Sequence, residues 1–485
     1  MRAALVRALG AAGLASATLA VLGPATASAH GLVGRQDLPI PRWLFAWAAA
    51  VVLVISFVAL ATLWPKPRLE HHNGEGRRLL AVPRLPAEIV LGTLGVLAFA
   101  VTVYAGLAGT QTETANLTPT VVYVIFWIGI PILSLLFGDV FRAVSPWRAI
   151  GRVFGTLAKR VGGDALPEPL AYPEKLGRWP AAAGILVFAW VELVYSGRND
   201  PSQLAVMALA YAAVQLVGMS LYGVQAWTER ADAFGVAFNL YGRIGPLHFE
   251  RGVLRTRPFL GGLPSLQIIP GTVALLCVMI GTTSFDGFSQ GPTWSDLAPD
   301  LQRLFVDLGF SQEHALEAAF TVGLVLIVLA IAGLYRLGIA GMRSVGGTSR
   351  STELGGRFVH TLVPIALAYV IAHYVSLLLY QGQAVFSLRP LQVGYLASDP
   401  LGDGSNYFGT ADHTIDYGII TATGIWYVQV AALVLGHAAG LVLAHDRALA
   451  LYRKPRDATR SQYWMLAIMV GFTSLGLWLL SAQSQ

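Results

Sequence analysis

Charge is what this chain has least of. Asp, Glu, Lys and Arg make up 12% of its 485 residues, where a soluble domain carries roughly a quarter. Apolar residues make up 55%, and the mean hydropathy is +0.59. An ordinary soluble enzyme and a disordered chain are both excluded. Cysteine is nearly absent too. The single one, Cys277, lies inside an apolar run, so neither a disulfide framework nor a cysteine zinc site can be assembled from this chain. A Walker-type glycine motif and a His-Glu-x-x-His string are also missing. The first absence argues against an ATP-driven pump built from this chain alone, and the second removes the commonest helical zinc signature.

What the chain has instead is long apolar runs. Residues 1–29 carry Arg2 and Arg7, an apolar stretch from Ala8 to Leu22 and the small-residue run Ala27-Ser28-Ala29. This is a signal-peptide pattern, and cleavage after Ala29 leaves His30 as the mature start. Ten further segments are long enough for a bilayer core of about 30 Å. They cover 42–64, 86–108, 119–139, 180–197, 203–226, 268–285, 314–341, 356–381, 418–445 and 461–482. The expected fold is an all-α, polytopic transmembrane bundle, with 30–485 forming one integral membrane domain in contact with lipid.

The charges sort by side. With the mature N-terminus outside, 26 of the 33 Lys and Arg fall at or beside the inner segments 65–85, 140–179, 227–267, 342–355 and 446–460. Only Arg35, Arg42, Arg198, Arg303 and Arg389 fall outside, against thirteen acidic residues. This positive-inside bias puts both mature termini outside the cytoplasm and accounts for the net charge of +6 without a nucleic-acid partner. The net-acidic outer face suits cations. Segments 140–179 and 227–267 read as basic and interfacial: from Phe141 to Phe154, and again from Phe238 to Leu247, apolar and basic residues mix as in headgroup-layer helices.

Ionisable residues at membrane depth are costly and need partners or water. Glu192 is the only acid well within a predicted span, His373 lies in the eighth, and Asp286 ends the sixth. The loop 399–417 adds Asp399, Asp403, Asp412, His413 and Asp416. These groups place candidate catalytic residues Glu192, Asp286 and His373 toward the outer half of the bundle. Candidate metal ligands are His373, His413, Asp416 and, through its free amine and imidazole, His30. Zinc, manganese, iron or copper would suit such donors. A plainer use is a structural Glu192–His373 hydrogen bond. Deeper, His360 and His437 could hold one haem b between them.

The mature start His30-Gly31-Leu32-Val33-Gly34-Arg35-Gln36-Asp37-Leu38-Pro39-Ile40-Pro41, with Ser145-Pro146-Trp147-Arg148, Thr283-Ser284-Phe285-Asp286-Gly287, His373-Tyr374 and Gln381-Gly382-Gln383, resembles the actinobacterial multi-span membrane proteins known as fenitrothion hydrolases. The likeness runs over nearly the whole mature chain. It implies metal-assisted hydrolysis of an organophosphorus aryl ester by a membrane protein taking its apolar substrate from lipid. Ten spans and an acidic outer face also fit a transporter or metal-handling permease, and the paired histidines a haem-bearing redox subunit. A second membrane subunit is compatible with each.

Overall fold

The computed structural model describes residues 42–70, 76–162, 167–250, 252–345, 351–388, 390–452 and 454–482. The predicted signal peptide, His30 and the resemblance at His30–Pro41 lie outside these residues. Each of the ten predicted apolar segments falls on a helix: α1 (Arg42–Leu63), α2 (Arg84–Ala108), α3 (Leu117–Phe137), α6 (Trp179–Leu193), α7 (Pro201–Tyr222), α10 (Thr272–Ser289), α12 (Gln312–Ser344), α14 (Leu362–Gln381), α15 (Ala422–Leu451) and α16 (Pro455–Ala482). Between them run α4 (Val140–Val144), α5 (Pro146–Gly162), α8 (Val224–Arg230), α9 (Ala233–Gly242), α11 (Pro292–Asp307) and α13 (Ser351–Phe358). The molecule is an all-α bundle.

Among the described residues, seven helices are long and apolar enough to cross a membrane: α2, α3, α7, α10, α12, α14 with its flanking turns, and α15. Trp47–Leu63 and Trp179–Leu193 are shorter apolar helices, and α16 opens on the charged residues Arg456, Asp457 and Arg460. Seven helices therefore have the length and apolarity of a membrane span, and a lipid bilayer is the environment they fit.

Burial separates centre from periphery. Of the apolar window in α10, 78% is buried within the protein and in α14 61%, against 28% in α2, α3 and α12. α10 and α14 are thus the inner helices, and the peripheral ones turn side chains such as Leu94, Leu326 and Leu329 outward. An apolar face turned away from the protein is what a helix in lipid presents. Close approach at the centre depends on small residues: a Cβ on Gly436 would lie 2.2 Å from the Ala368 Cβ, and one on Gly281 2.7 Å from Val328.

The two ends of the bundle differ. At the basic end, an antiparallel sheet of β1 (Arg78–Ala81), β2 (Leu247–Glu250) and β3 (Val253–Thr256), in the order β1-β3-β2, joins distant connections. The opposite, acid end carries a short hairpin of β4 (Phe386–Leu388) and β5 (Leu391–Val393) and the loop 399–417.

The two basic segments part company. α5 is amphipathic, burying Trp147 and Arg148 while exposing Val153, Phe154, Leu157 and Val161. Such a helix can lie against a membrane surface. The segment from Phe238 is different: Phe234, Val236, Ala237, Phe238, Leu240 and Tyr241 of α9 are all buried, so α9 packs inside the bundle instead of lying on its surface. The physical reason is its largely apolar circumference, with the Asn239 amide spent on Asp139 at 2.6 Å and not turned to water.

Candidate functional site

α10 and α14 pack together, and where α10 nears its acid-end terminus two ionisable side chains meet between them. The Asp286 Oδ2 lies 2.7 Å from the His373 Nε2. Tyr374, the next residue of α14, donates its hydroxyl to the same oxygen at 2.7 Å. Gln290, one turn beyond Asp286 and so on the same face, donates to Oδ1 at 3.0 Å. Three donors from two helices therefore fix one carboxylate, and the side chains of Asp286 and His373 are each 11% exposed.

What exposure they have faces a cavity of about 820 Å³ lined by Glu192, Arg198, Asp286, His373, Tyr374 and Tyr380, among others. Glu192, second from last in α6, is close enough to Asp286 for the two carboxylates to feel one another's charge. Arg198 is the cation among the described lining residues. It sits in the loop between α6 and α7, which is pinned where the Tyr123 hydroxyl donates to the Arg198 carbonyl at 2.8 Å. Tyr123 belongs to a π-helical stretch of α3, Val121–Gly129, and such stretches recur beside functional sites.

The structure thus brings Glu192, Asp286 and His373 to one cavity. The partner of His373 is Asp286 and not Glu192, so the Glu192–His373 pair expected as a structural alternative is not formed. His413 and Asp416 stand apart from the cavity-lining set. His413 Nδ1 is 2.6 Å from the Gln392 Nε2, and the Asp416 carboxylate accepts from the Gly418 backbone. Asp399 and Asp403 are likewise spent on local turn N–H groups. Among the described residues no group of three or more His, Cys, Asp or Glu is arranged to hold a metal ion. His30, the remaining candidate ligand, lies outside the described residues.

The deeper histidines lie where α14 and α15 pack closely. α14 and α15 are in direct contact at Gly436 and Gly440, where an added Cβ would lie 2.2 Å from Ala368 and 3.0 Å from the Thr361 carbonyl. His437 turns its Nδ1 to the Leu433 carbonyl at 2.8 Å and its ring toward Tyr369, while His360 lies within the electrostatic reach of Arg447. The Nε2 atoms of His360 and His437 are both buried without a partner among the described residues.

Sequence reasoning missed Tyr374, Gln290 and Arg198. Gln290 was within reach of it, because residues four apart share a helix face. Comparison with protein-family models, with curated proteins and with solved structures finds no match.

Proposed function

We propose that this protein is a membrane-embedded hydrolase of apolar esters, with organophosphorus aryl triesters as the substrate class, acting in the cavity between α10 and α14. The observation that carries the reading is the 2.7 Å contact between His373 Nε2 and Asp286 Oδ2 at the wall of an 820 Å³ cavity. A carboxylate that holds one imidazole nitrogen fixes the tautomer and leaves the other nitrogen as a base.

In this reading Asp286 accepts a hydrogen bond from the Nε2–H, which leaves His373 Nδ1 to take a proton from water as the water oxygen attacks phosphorus. The bond from phosphorus to the aryl oxygen breaks, and the aryl oxide leaves with the electron pair. Asp286 then stabilises the imidazolium until its proton passes to bulk water or to the leaving group. The Arg198 guanidinium offsets charge building on the phosphoryl oxygen or thiophosphoryl sulfur. Glu192 is the second acid–base group of the cavity. The apolar, lipid-facing helices give a triester a route from the bilayer, and the positive-inside distribution of the sequence turns the cavity away from the cytosol.

With Nε2 held by Asp286, Nδ1 is the nitrogen left to act, as a proton acceptor in this reading. The test is release of nitrophenol from an aryl phosphotriester by purified protein in detergent, with and without a chelator. Expected are turnover that survives chelation and a loss of about 10²- to 10⁴-fold in kcat for His373→Ala. Turnover abolished by chelation and restored by zinc or manganese would replace the imidazole base with a metal. Absence of turnover, together with counterflow of a labelled solute into proteoliposomes, would move the protein to the transporters.

A further inference from the structure

A second cavity, of about 190 Å³, lies at the basic end and belongs to neither Asp286 nor His373. Its walls carry five guanidinium groups, from Arg142, Arg148, Arg178, Arg230 and Arg243, against three carboxylates, from Asp139, Glu229 and Asp232. The three acids are spent. Asp139 accepts from the Arg142 backbone and from Asn239 at 2.6 Å. Asp232 accepts from Trp147 and Tyr211, each at 2.8 Å, and from the Gly235 N–H at the start of α9. Glu229 is paired with Arg142 at 3.1 Å.

Of the arginines, Arg142 is paired with Glu229, and Arg243 donates to Asn239 at 3.0 Å and to the Gly262 carbonyl at 3.3 Å, whereas Arg178 and Arg148 each keep an unused donor. Arg178 is only 6% exposed, and its Nη1 donates to two neutral oxygens, the Gln267 carbonyl and the Thr272 hydroxyl, both at 2.8 Å. Its Nε is buried with no partner among the described residues, and no described carboxylate is in ion-pair range of it. Arg148, also 6% exposed, has an unpartnered buried Nε as well; its Nη1 donates to the Arg142 carbonyl at 2.6 Å, and its Nη2 makes a long ion pair with Glu88 at 3.9 Å. Burial, and then the neighbouring Arg243 and Arg230, lower the Arg178 pKa to about 10, which still leaves a cation at neutral pH. Surface arginines gathered by the positive-inside rule are solvated. A guanidinium as buried as that of Arg178, with no counter-charge among the described residues, is costly unless something anionic joins it.

We propose that this basic-end cavity is a binding site for a phosphate group, held by Arg178, Arg148 and Arg243. The guanidinium fork matches phosphate oxygens in pairs. Forks arriving from α5 (Arg148), from the approach to α6 (Arg178) and from the end of α9 (Arg243) suit a tetrahedral oxyanion better than a flat carboxylate. The phosphate can belong to a lipid headgroup or to a soluble molecule, and the cavity chemistry is the same for both.

The test follows unfolding of the full-length protein in neutral detergent by tryptophan fluorescence. Inorganic phosphate is titrated in one arm, and micelles containing phosphatidic acid, against phosphatidylcholine, in the other. A saturable rise in Tm, above that given by sodium chloride at equal ionic strength, is expected in at least one arm. The phosphate arm alone identifies a soluble ligand, the lipid arm alone a headgroup. Arg178→Gln should leave the Tm of the unliganded protein unchanged or raised, because it removes an uncompensated buried cation, and should weaken the ligand response at least tenfold. Arg243→Gln supplies the same comparison should the first variant not fold. No saturable rise in either arm, or a lower Tm in Arg178→Gln with the ligand response intact, would overturn the proposal.

Discussion

Asp286 has two oxygens and receives three side-chain donors, from His373, Tyr374 and Gln290. A carboxylate so held cannot swing, and that immobility is what lets it orient an imidazole. Asp286→Asn tests the point with almost no change of shape. The new amide can donate to His373 Nε2, which drives the ring proton to Nδ1 and leaves no base facing the cavity. We expect kcat to fall by about 10²- to 10⁴-fold with little change in KM, with tryptophan fluorescence of the variant reporting a native fold. A fall in kcat with a rise in KM and lost structure would mark Asp286 as a packing residue instead. Asp286 and His373 were legible in the sequence because ionisable residues at membrane depth are rare enough to stand out one by one. Tyr374 was not, since a tyrosine in an apolar helix is ordinary and its hydroxyl has meaning only once the carboxylate opposite is known.

Helices in this bundle begin where side chains can accept the first orphan N–H groups. Asn116, Asp139, Asp200, Asp232, Ser311 and Thr421 each cap one. Asp200 is the clearest, accepting from the backbone of Ser202 and Gln203 and from the Ser202 hydroxyl. The Ser202 hydroxyl first, and then the Gln203 backbone, lower its pKa below the usual carboxylate value. A depressed folded-state pKa gives stability that is present above the unfolded value and is lost as pH falls through the folded one. Asp200→Ala should therefore cost about 1 kcal/mol near neutral pH, read as a lower Tm in detergent. The gap to the native protein should close in acid below the ordinary carboxylate range. A gap independent of pH would mean that Asp200 acts through packing and not through its charge.

At this scale the sequence was most readable where long runs fix the answer: all ten apolar segments are helical. It was least readable in the short connecting helices. The residues from Phe238 read as interfacial because Arg243 follows them closely, yet the helix before Arg243 is largely apolar and is drawn inward among Phe126, Trp127, Phe141 and Trp147. A window of ten residues cannot show which neighbours will surround it.

Across the whole molecule, charge is polarised from end to end, and each end has its own cavity. The cavity with the Asp286–His373 pair has one arginine on its wall, whereas the one at the other end has five. If the basic end is cytosolic, as the positive-inside rule requires, the acid–base pair opens away from the cytosol and the arginine cavity opens toward it. Cys277 makes this straightforward to test, because the only cysteine is 1% exposed and should stay silent to maleimides in the native protein. Asp412 and Lys159 are exposed at opposite ends. Asp412→Cys should react with a membrane-impermeant maleimide in intact cells, and Lys159→Cys only after permeabilisation. The opposite pattern would turn the molecule over and place the Asp286–His373 cavity on the cytosolic side. A phosphotriester would then have to cross the bilayer before it met the base, and the arginine cavity would be left facing outward.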